Sequence, residues 1–241
     1  FSCVGVLGPT RLLGLSIPDV KYPHQHLCST RTIDHSASRE DSPNLYGAEF
    51  RLGGALLGNY ATLNPFAKGN TTPPSTGNLQ YLGGPSQQTL GTIGMLSGKW
   101  YWEDTKISGV YGATGIATGD VDLSGYPGQG SSWAYNKSGL KYNESSSATY
   151  GDAWDDGDTI GVAFDANSGT LEFYKNGVSQ GIAFTGLTDG PYFPTGGDQD
   201  TSGFFNFGST EFKYPAPVGY KTLNTTNLET PLIPVGNTQM D

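Results

Sequence analysis

The sequence predicts an all-β fold in which two antiparallel sheets pack as a sandwich. From Tyr60 onward, short apolar or alternating runs recur about every eight to twelve residues, and clusters of Gly, Pro, Asn, Asp and Ser separate them, which is the spacing of sandwich strands. The 241 residues include 36 Gly and 15 Pro, which supply turns, and 12% aromatic residues, which pack well on sheets. Charged residues make up only 15% of the chain, too few to cover long helices, so a helical bundle is excluded.

Residues 1–51 differ in composition from the rest and are predicted to form an irregular N-terminal arm, or the end of a preceding segment. They contain both cysteines, all three histidines and every arginine, and no stretch longer than about six residues keeps a helical or strand period. Such an arm buries too little surface to order itself, so we expect it to pack on the main domain or on a neighbouring subunit. Phe1 in place of Met suggests a processed product or a fragment.

The arm also carries candidate metal ligands and thiols. His24, His26 and Cys28 alternate, and would lie on one side of an extended strand, but a structural zinc site needs a fourth ligand, so coincidence is favoured. Cys3 and Cys28 could form a disulfide, although two cysteines do not establish the redox compartment.

Residues 52–212 are predicted to form the sandwich. The clearest strands are Leu79–Leu82, Gly98–Glu103, Val110–Ala117, Ser132–Tyr135, Ile160–Phe164, Thr170–Tyr174, Val178–Phe184 and Phe204–Phe207. Alternation places Ile160, Val162 and Phe164 on one face of their strand, as expected where one side of a sheet is buried. These runs suffice for two sheets.

One hairpin is specified strongly. Asn176 and Gly177 separate the run Thr170–Lys175 from the run that starts at Val178. Asn-Gly meets the positive φ angles that a type I′ turn requires, and such a turn matches the twist of the strands that it joins. The two runs are therefore predicted to pair as neighbours.

Residues 213–241 are predicted to form an extended tail. Pro215, Pro217, Pro231 and Pro234 exclude a central strand, because proline cannot donate to a sheet ladder. Apolar residues recur between them, which suggests that the tail lies against another surface.

The charge of the chain excludes two classes of partner. The formal net charge is -9, and all of it falls in residues 52–241, since residues 1–51 carry equal numbers of basic and acidic side chains. An acidic protein repels phosphate backbones and anionic lipid surfaces, so we expect no nucleic-acid partner. No apolar run approaches the roughly 20 residues that cross a bilayer, so no membrane insertion is expected either.

An ordered series of motifs resembles the SPRY family. The series runs GKWYWE (98–103), GIA (115–117), SWAYNKSGLKYN (132–143), GDTIGVAFD (157–165), GTLEFYKNGVSQGIAF (169–184), YFP (192–194) and FNFG (205–208). Upstream, LNP (63–65) and GNLQYLGG (77–84) are similar to the PRY-type strand that precedes SPRY cores, and the likeness covers roughly residues 60–212. With the stretch GYKTLNTTNLETP (219–231), the sub-type is similar to SPRY modules of bacteriophage and viral structural proteins.

The resemblance implies a bent, concanavalin-like jelly roll that binds a partner and does no catalysis, with no cofactor. Residues 52–241 contain no His or Cys, which agrees, because metal-dependent and triad hydrolysis usually need one of them. The sub-type implies a virion or extracellular component that decorates a capsid or belongs to a tail. Its expected partners are neighbouring virion proteins, further copies of itself, and a host-surface glycan or protein.

Binding is predicted to use loops at the edge of the sandwich, around residues 119–131, 144–157 and 195–203, because loops on a rigid scaffold usually carry recognition. The candidate binding residues are Asp120, Asp122, Tyr126, Gln129, Asp155, Asp156, Asp198, Gln199 and Asp200. Tyr126 is the aromatic candidate, since it stands in a glycine-rich loop, whereas Trp100, Trp102 and Trp133 are interpreted as core residues.

Three alternatives stay open on the residues alone. The aspartates between Asp152 and Asp158 are dense enough to hold Ca²⁺, although their spacing does not match an EF-hand loop, so turn capping is favoured and no metal site is assigned. Glu103 and Glu172 would make a carbohydrate-active enzyme if they faced one cleft. A purely structural, homo-oligomeric cement protein is the third alternative.

Overall fold

The computed structural model describes residues 50–52, 55–69, 72–82 and 87–229. All of them belong to one compact unit, Phe50–Asp241. The predicted arm, with His24, His26, Cys28 and Cys3, lies outside the described residues apart from its last two positions, so its assignment stays a prediction. In the described part of the chain, no helix has the length and apolar character needed to cross a membrane.

The described residues form seventeen strands and one short 3-10 helix, Thr225–Asn227. The strands are β1 (Phe50–Leu52), β2 (Ala55–Leu57), β3 (Leu63–Lys68), β4 (Thr72–Ser75), β5 (Gln80–Leu82), β6 (Gln88–Gly91), β7 (Lys99–Gly109), β8 (Ala113–Thr118), β9 (Ser132–Asn136), β10 (Leu140–Asn143), β11 (Ser146–Thr149), β12 (Thr159–Asp165), β13 (Thr170–Lys175), β14 (Val178–Phe184), β15 (Tyr192–Gly197), β16 (Thr201–Asn206) and β17 (Lys221–Thr222).

Two large antiparallel sheets make the sandwich, and the predicted all-β fold is confirmed. The first sheet has the strand order β11-β10-β9-β8-β15-β6-β3, and the second has the order β14-β13-β12-β7-β16-β5-β4. β17 joins the second sheet by pairing parallel to the start of β7, next to the stretch of β7 that β16 covers. β1 and β2 pair separately as a two-stranded ribbon.

The core lies between the facing sides of the two sheets and is largely aromatic. On β12, Ile160, Val162 and Phe164 are fully buried in this core as predicted, although all seven residues of the strand are buried, so its other face is covered as well. Trp100 and Trp102 of β7 lie beside them and are buried as well, which agrees with their interpretation as core residues. Phe164 of the second sheet meets Tyr192 of the first edge to face at 5.4 Å, an arrangement that adds to the stabilisation from burial alone.

The predicted Asn-Gly hairpin joins β13 to β14. Asn176 and Gly177 have φ angles of 49° and 80°, as a type I′ turn requires, and Lys175 pairs with Val178 across the turn. The Asn176 side chain also accepts a hydrogen bond from the Thr159 backbone N–H at 2.9 Å. The turn therefore fixes the start of β12 as well as the hairpin.

The described part of the tail packs on the outer face of the second sheet. Directly before the tail, the ring of Phe212 meets that of Tyr101 edge to face at 4.9 Å, whereas Leu223, further along the tail, is fully buried in the core. Glu103 of β7 accepts the backbone N–H groups of Lys213 and Tyr214, each at 2.8 Å. A buried carboxylate thus holds the tail against the sheet, although the domain boundary placed after residue 212 stays a prediction.

Candidate functional site

Three segments meet at one edge of the sandwich because of the strand register. β7 ends at Gly109, which pairs with Thr201 at the start of β16, and β12 begins at Thr159, which pairs with Thr105. The end of β7 with the following turn (107–112), the segment before β12 (152–158) and the β15–β16 turn (198–200) are therefore neighbours. We call these three segments the acidic edge. The predicted binding residues Asp155, Asp156, Asp198, Gln199 and Asp200 all lie on it.

The other predicted binding residues lie elsewhere. The segment 119–131 starts directly after Thr118, which pairs with Tyr192. This pair lies at the end of the first sheet that is opposite the acidic edge. Asp120 and Gln129 of this segment are exposed. The candidate set is therefore not one continuous surface.

The remaining candidates of this segment, Tyr126 and Asp122, are engaged within the domain. Tyr126 is half-buried, with its ring edge-on to Tyr142 at 6.1 Å. The segment also folds back over the outer face of the first sheet, where the Asp122 carbonyl accepts from Gln88 Nε2 at 3.1 Å. The Asp122 carboxylate accepts hydrogen bonds from the hydroxyl and backbone N–H of Ser124, which lower its pKa.

The acidic edge exposes apolar side chains that sequence reasoning missed. Ile107, Val110 and Tyr111 are 45%, 67% and 48% exposed. The sequence predicted Val110 within a strand, whereas the chain forms a turn there and β8 starts only at Ala113. The signal that could have identified the turn is the pair of glycines that flank Val110 and Tyr111 in the run GVYG.

Hydrogen bonds from three directions hold this apolar turn. The carbonyl of Gly109 accepts from Lys106 Nζ at 2.5 Å, that of Tyr111 accepts from Thr201 Oγ1 at 2.5 Å, and that of Gly112 accepts from the Lys137 backbone at 2.9 Å. Gly109 has a φ of 124°, and a Cβ there would lie 2.2 Å from the Asp200 carbonyl. The backbone of the turn is therefore fixed, and its side chains are presented to solvent from a rigid support.

A buried lysine connects the turn to the segment 152–158. The Lys106 side chain is fully buried, and its ammonium pairs with the Asp156 carboxylate and lies 3.8 Å from that of Asp155. The backbone N–H of Lys106 donates to the backbone carbonyl of Asp158 at 3.1 Å, and the backbone carbonyl of Lys106 accepts from the N–H of Gly157 at 2.9 Å. A buried ammonium is costly unless it is paired, so removing its partners would release both segments.

The β15–β16 turn carries strained aspartates. Asp198 and Asp200 have φ angles of 117° and 49°, which non-glycine residues adopt at a cost. Burial raises the pKa of Asp198, and hydrogen bonds from the Gln199 and Gly112 backbones offset part of that rise. The Asp198 carboxyl therefore ties this turn to the apolar turn next to it.

The segment 152–158 borders a shallow open groove of about 590 Å³. Trp154 is buried and lines the groove with Lys137 and Lys175. Hydrogen bonds from the Asp156 backbone and from Lys137 lower the pKa of Asp155, which is thus held as a carboxylate at the rim. The groove adds a recess beside the exposed apolar turn.

Asp155, Asp156 and Asp158 of this segment have lysine partners instead of a metal-ligand geometry. Asp155 and Asp156 pair with Lys106, and Asp158 lies 3.5 Å from Lys175. Across the described ranges, no group of three or more His, Cys, Asp or Glu side chains is arranged to hold a metal ion. The calcium alternative therefore has no geometric support in this loop.

Glu103 and Glu172 do not face one cleft. Glu103 is 3% exposed, and the tail covers it through the two backbone hydrogen bonds already described. Glu172 accepts from Ser179 on the neighbouring strand. The register places the two glutamates on one face of the sheet, two strands and two residues apart, about 12 Å between Cα atoms, and both carboxylates are engaged within the domain.

Comparison with known families and structures identifies the sandwich. Residues 99–210 match the model of the SPRY domain. The crystal structure of the SPRY domain of human HERC1 superposes with a TM-score of 0.53 at 17% identity, covering 62% of this chain and 99% of that one. At this identity, the superposition supports the fold alone.

Three similar curated proteins are eukaryotic. The E3 ubiquitin-protein ligase RKP of Arabidopsis thaliana is 35% identical over 126 residues, 49% of this chain and 10% of that protein. SPRY domain-containing SOCS box protein 3 of Xenopus tropicalis and of Xenopus laevis are each 32% identical over 111 residues, 42% of this chain and 31% of theirs. The chain thus spans less than a third of the length of these relatives.

The predicted phage or viral origin is wrong. The relatives come from a plant and from frogs, which overturns the predicted virion component, its virion and host-surface partners, and its virion or extracellular location. The physical reason is that the shared motifs encode buried strands and turns, such as Trp100 to Trp102 and the Asn176-Gly177 hairpin. Such positions determine the sandwich and carry no information about the organism or the partner.

Proposed function

Because residues 99–210 form a SPRY domain, we propose that this chain is a protein-recognition module that binds one partner protein through the acidic edge. In this proposal the domain selects the partner and does no chemistry itself. The observation that carries the proposal is the pair Val110 and Tyr111, which is exposed although its backbone is fixed on three sides.

The physical argument concerns the cost of binding. An exposed tyrosine beside an aliphatic residue is typical of the few side chains that supply most of the energy of an interface. Ordering a mobile loop reduces affinity, whereas a turn held by Lys106, Thr201 and Lys137 is already in place. Val110 and Tyr111 can therefore contribute their contact energy with little loss to ordering.

We further propose that the recognised partner is delivered to ubiquitin-conjugating machinery. The support is the activity named for one relative, an E3 ubiquitin-protein ligase, and the SOCS box named in the others. Since this chain matches only part of those proteins, the ubiquitin step belongs in this proposal to other segments or subunits.

The recognition part is tested by affinity capture with matched variants. The whole chain and its Val110→Ser/Tyr111→Ala variant are used as baits in a eukaryotic lysate, and the captured protein is then purified and its Kd measured directly. We expect the double variant to weaken binding at least about 30-fold, as loss of a tyrosine hot spot does. The control is Leu96→Ser/Val218→Ser, which removes two other exposed apolar side chains and should keep the affinity. Equal binding by all three baits would refute the proposed site.

The ubiquitin part needs a separate readout. Excess wild-type chain, added to a lysate that ubiquitinates the captured partner, should compete for that partner and lower its ubiquitination, and the Val110→Ser/Tyr111→Ala variant should not. If the wild-type chain binds the partner and leaves its ubiquitination unchanged, the ubiquitin part is wrong while recognition stands.

A further inference from the structure

The acidic edge presents more negative charge than its ion pairs neutralise. Its segments, the adjoining groove and Lys213, whose ammonium donates to the Gly157 carbonyl at 3.4 Å, carry six aspartates (152, 155, 156, 158, 198 and 200) and four lysines (106, 137, 175 and 213), which leaves two net negative charges. Lys106 is fully buried, and its ammonium neutralises the Asp156 carboxylate with which it pairs. The excess negative charge therefore comes from the other carboxylates of the acidic edge.

Two of the exposed carboxylates stand outside the ion pairs that the described residues form. Within the described residues, Asp152 and Asp200 form no ion pair with any lysine, and both side chains are exposed. Asp200 follows the strained turn at Asp198, and its carbonyl lies close to Gly109. An unpaired carboxylate therefore stands beside the apolar turn that carries Val110 and Tyr111.

We infer that the partner segment bound at the acidic edge is a short basic stretch, with at least one Lys or Arg next to an aliphatic or aromatic residue. The inference rests on the proposed recognition function and names the chemistry of its partner. The apolar residue would cover Val110 and Tyr111, and the cation would lie near Asp200 or Asp152. Tyr111 adds a second attraction, because a guanidinium or ammonium is favoured over a tyrosine ring.

Charge complementarity separates this occupant from others. A phosphorylated or acidic peptide, or a nucleic acid, would face like charges, which cost several kcal/mol when they meet across an interface. A second copy of this chain docked edge to edge would bring the same carboxylates together. A basic segment relieves the repulsion among the aspartates and is attracted over a distance of about 10 Å at moderate salt.

The experiment selects peptides from a random library, so it does not require the partner to be identified first. A displayed library of random 12-residue peptides is panned on the whole chain, and the enriched peptides are synthesised and titrated by fluorescence anisotropy. We expect enrichment of Lys or Arg beside an apolar residue, and an affinity that falls at least about fivefold between 50 and 300 mM NaCl. Enrichment of neutral or acidic peptides would overturn the inference.

Matched variants separate local charge from the net charge of the chain. Asp152→Asn/Asp155→Asn/Asp200→Asn should weaken the selected peptide at least about fivefold, since three exposed pairs are each worth a modest amount. Asp200→Asn alone keeps the backbone preference of its position and should lower affinity about twofold or more, which covers the case in which the triple variant folds poorly. The control removes three exposed acids from the opposite end, as Asp120→Asn/Glu144→Gln/Asp189→Asn, and should change the affinity less than twofold. Equal losses in both triple variants would mean attraction by net charge and would refute the inference.

The outcomes also distinguish this inference from the recognition function itself. If Val110→Ser/Tyr111→Ala abolishes peptide binding while the charge variants and salt have no effect, the acidic edge is the binding site and its partner is not basic. If Val110→Ser/Tyr111→Ala binds as wild type does, the proposed site falls, and this inference falls with it.

Discussion

Replacing Asp104 with Asn is expected to remove most of the pH dependence of folding stability between about pH 4 and pH 8. Asp104 lies on the inner side of β7, between the two sheets, and is 1% exposed. Burial raises its pKa from 3.8 to about 7, and hydrogen bonds with the Thr114 and Tyr81 hydroxyls offset part of the rise. The carboxyl therefore stays protonated in the native core under conditions in which the unfolded chain has released that proton.

The size of the effect follows from the difference between the two pKa values. A gap of about three pH units at about 1.4 kcal/mol each gives about 4 kcal/mol. Between these pKa values the native state binds one proton more than the unfolded state, so the free energy of unfolding falls as the pH rises. The loss begins near pH 4 and is complete just above pH 7. An asparagine side chain cannot ionise, so the variant escapes this loss.

Urea unfolding followed by tryptophan fluorescence at half-unit steps of pH measures this directly. The wild-type free energy of unfolding should drop by about 4 kcal/mol more than that of Asp104→Asn between pH 4.5 and pH 8. Asp198, whose pKa burial also raises, leaves a smaller slope in both proteins. The two proteins are compared by the slope of the free energy of unfolding against pH and not by its absolute value. An unpaired amide N–H of the introduced asparagine in the core would lower the stability of the variant equally at every pH.

Asp165→Asn is the matched control for this measurement. Although desolvation opposes it, hydrogen bonds from Lys99 and Ser168 lower the pKa of Asp165, so its contribution to stability is constant above about pH 4. The control should therefore keep the wild-type slope. If Asp104→Asn kept that slope too, the assignment of the pH dependence to a buried, protonated Asp104 would be refuted.

Two further variants test the support of the acidic edge and of the tail. Gly109→Ala should lower the free energy of unfolding by about 2 to 3 kcal/mol in the same assay at constant pH, because it adds a Cβ 2.2 Å from the Asp200 carbonyl oxygen at a position with a positive φ. Gly130→Ala is the control: it has the positive φ without the close contact and should cost about 1 kcal/mol. Equal costs would contradict the proposed close packing at Gly109. Glu103→Gln should lower the free energy of unfolding by about 1 to 2 kcal/mol and speed proteolysis around Lys213, because a neutral amide replaces the carboxylate that holds the tail. Glu172→Gln is the control and should leave proteolysis around Lys213 unchanged. Identical digestion patterns for the two variants would contradict the role of Glu103.

The sequence predicted those strands that carry their own local signal. In β12, Ile, Val and Phe alternate with Gly and Ala, and the Asn176-Gly177 turn determines the β13–β14 pairing, so both could be read without knowing the rest of the fold. β15 was missed, although it lies inside the first sheet, because Pro194 and the following glycines are typical of a loop. β11 was missed because all of its residues are exposed, so it has no apolar alternation.

The candidate site could be predicted only in part, because it depends on which strand ends become neighbours. The aspartates at 155, 156, 198 and 200 are visible as polar turn residues, but their proximity comes from the pairing of β7 with β12 and β16. The same limit explains why the sequence grouped Asp120 and Tyr126 with them, although the structure places these two at the other end of the first sheet. The buried Lys106 gave no signal, since a lysine is expected at the surface unless its partners are known.

The most direct test of the acidic edge as the recognition surface is amide hydrogen exchange on the complex with the captured partner. Added protection is predicted in residues 107–112, 152–158 and 198–200, with residues 119–131 and 142–145 at the other end of the first sheet unchanged. Protection confined to residues 119–131 and 142–145, with the acidic edge exchanging as in the free protein, would contradict the account.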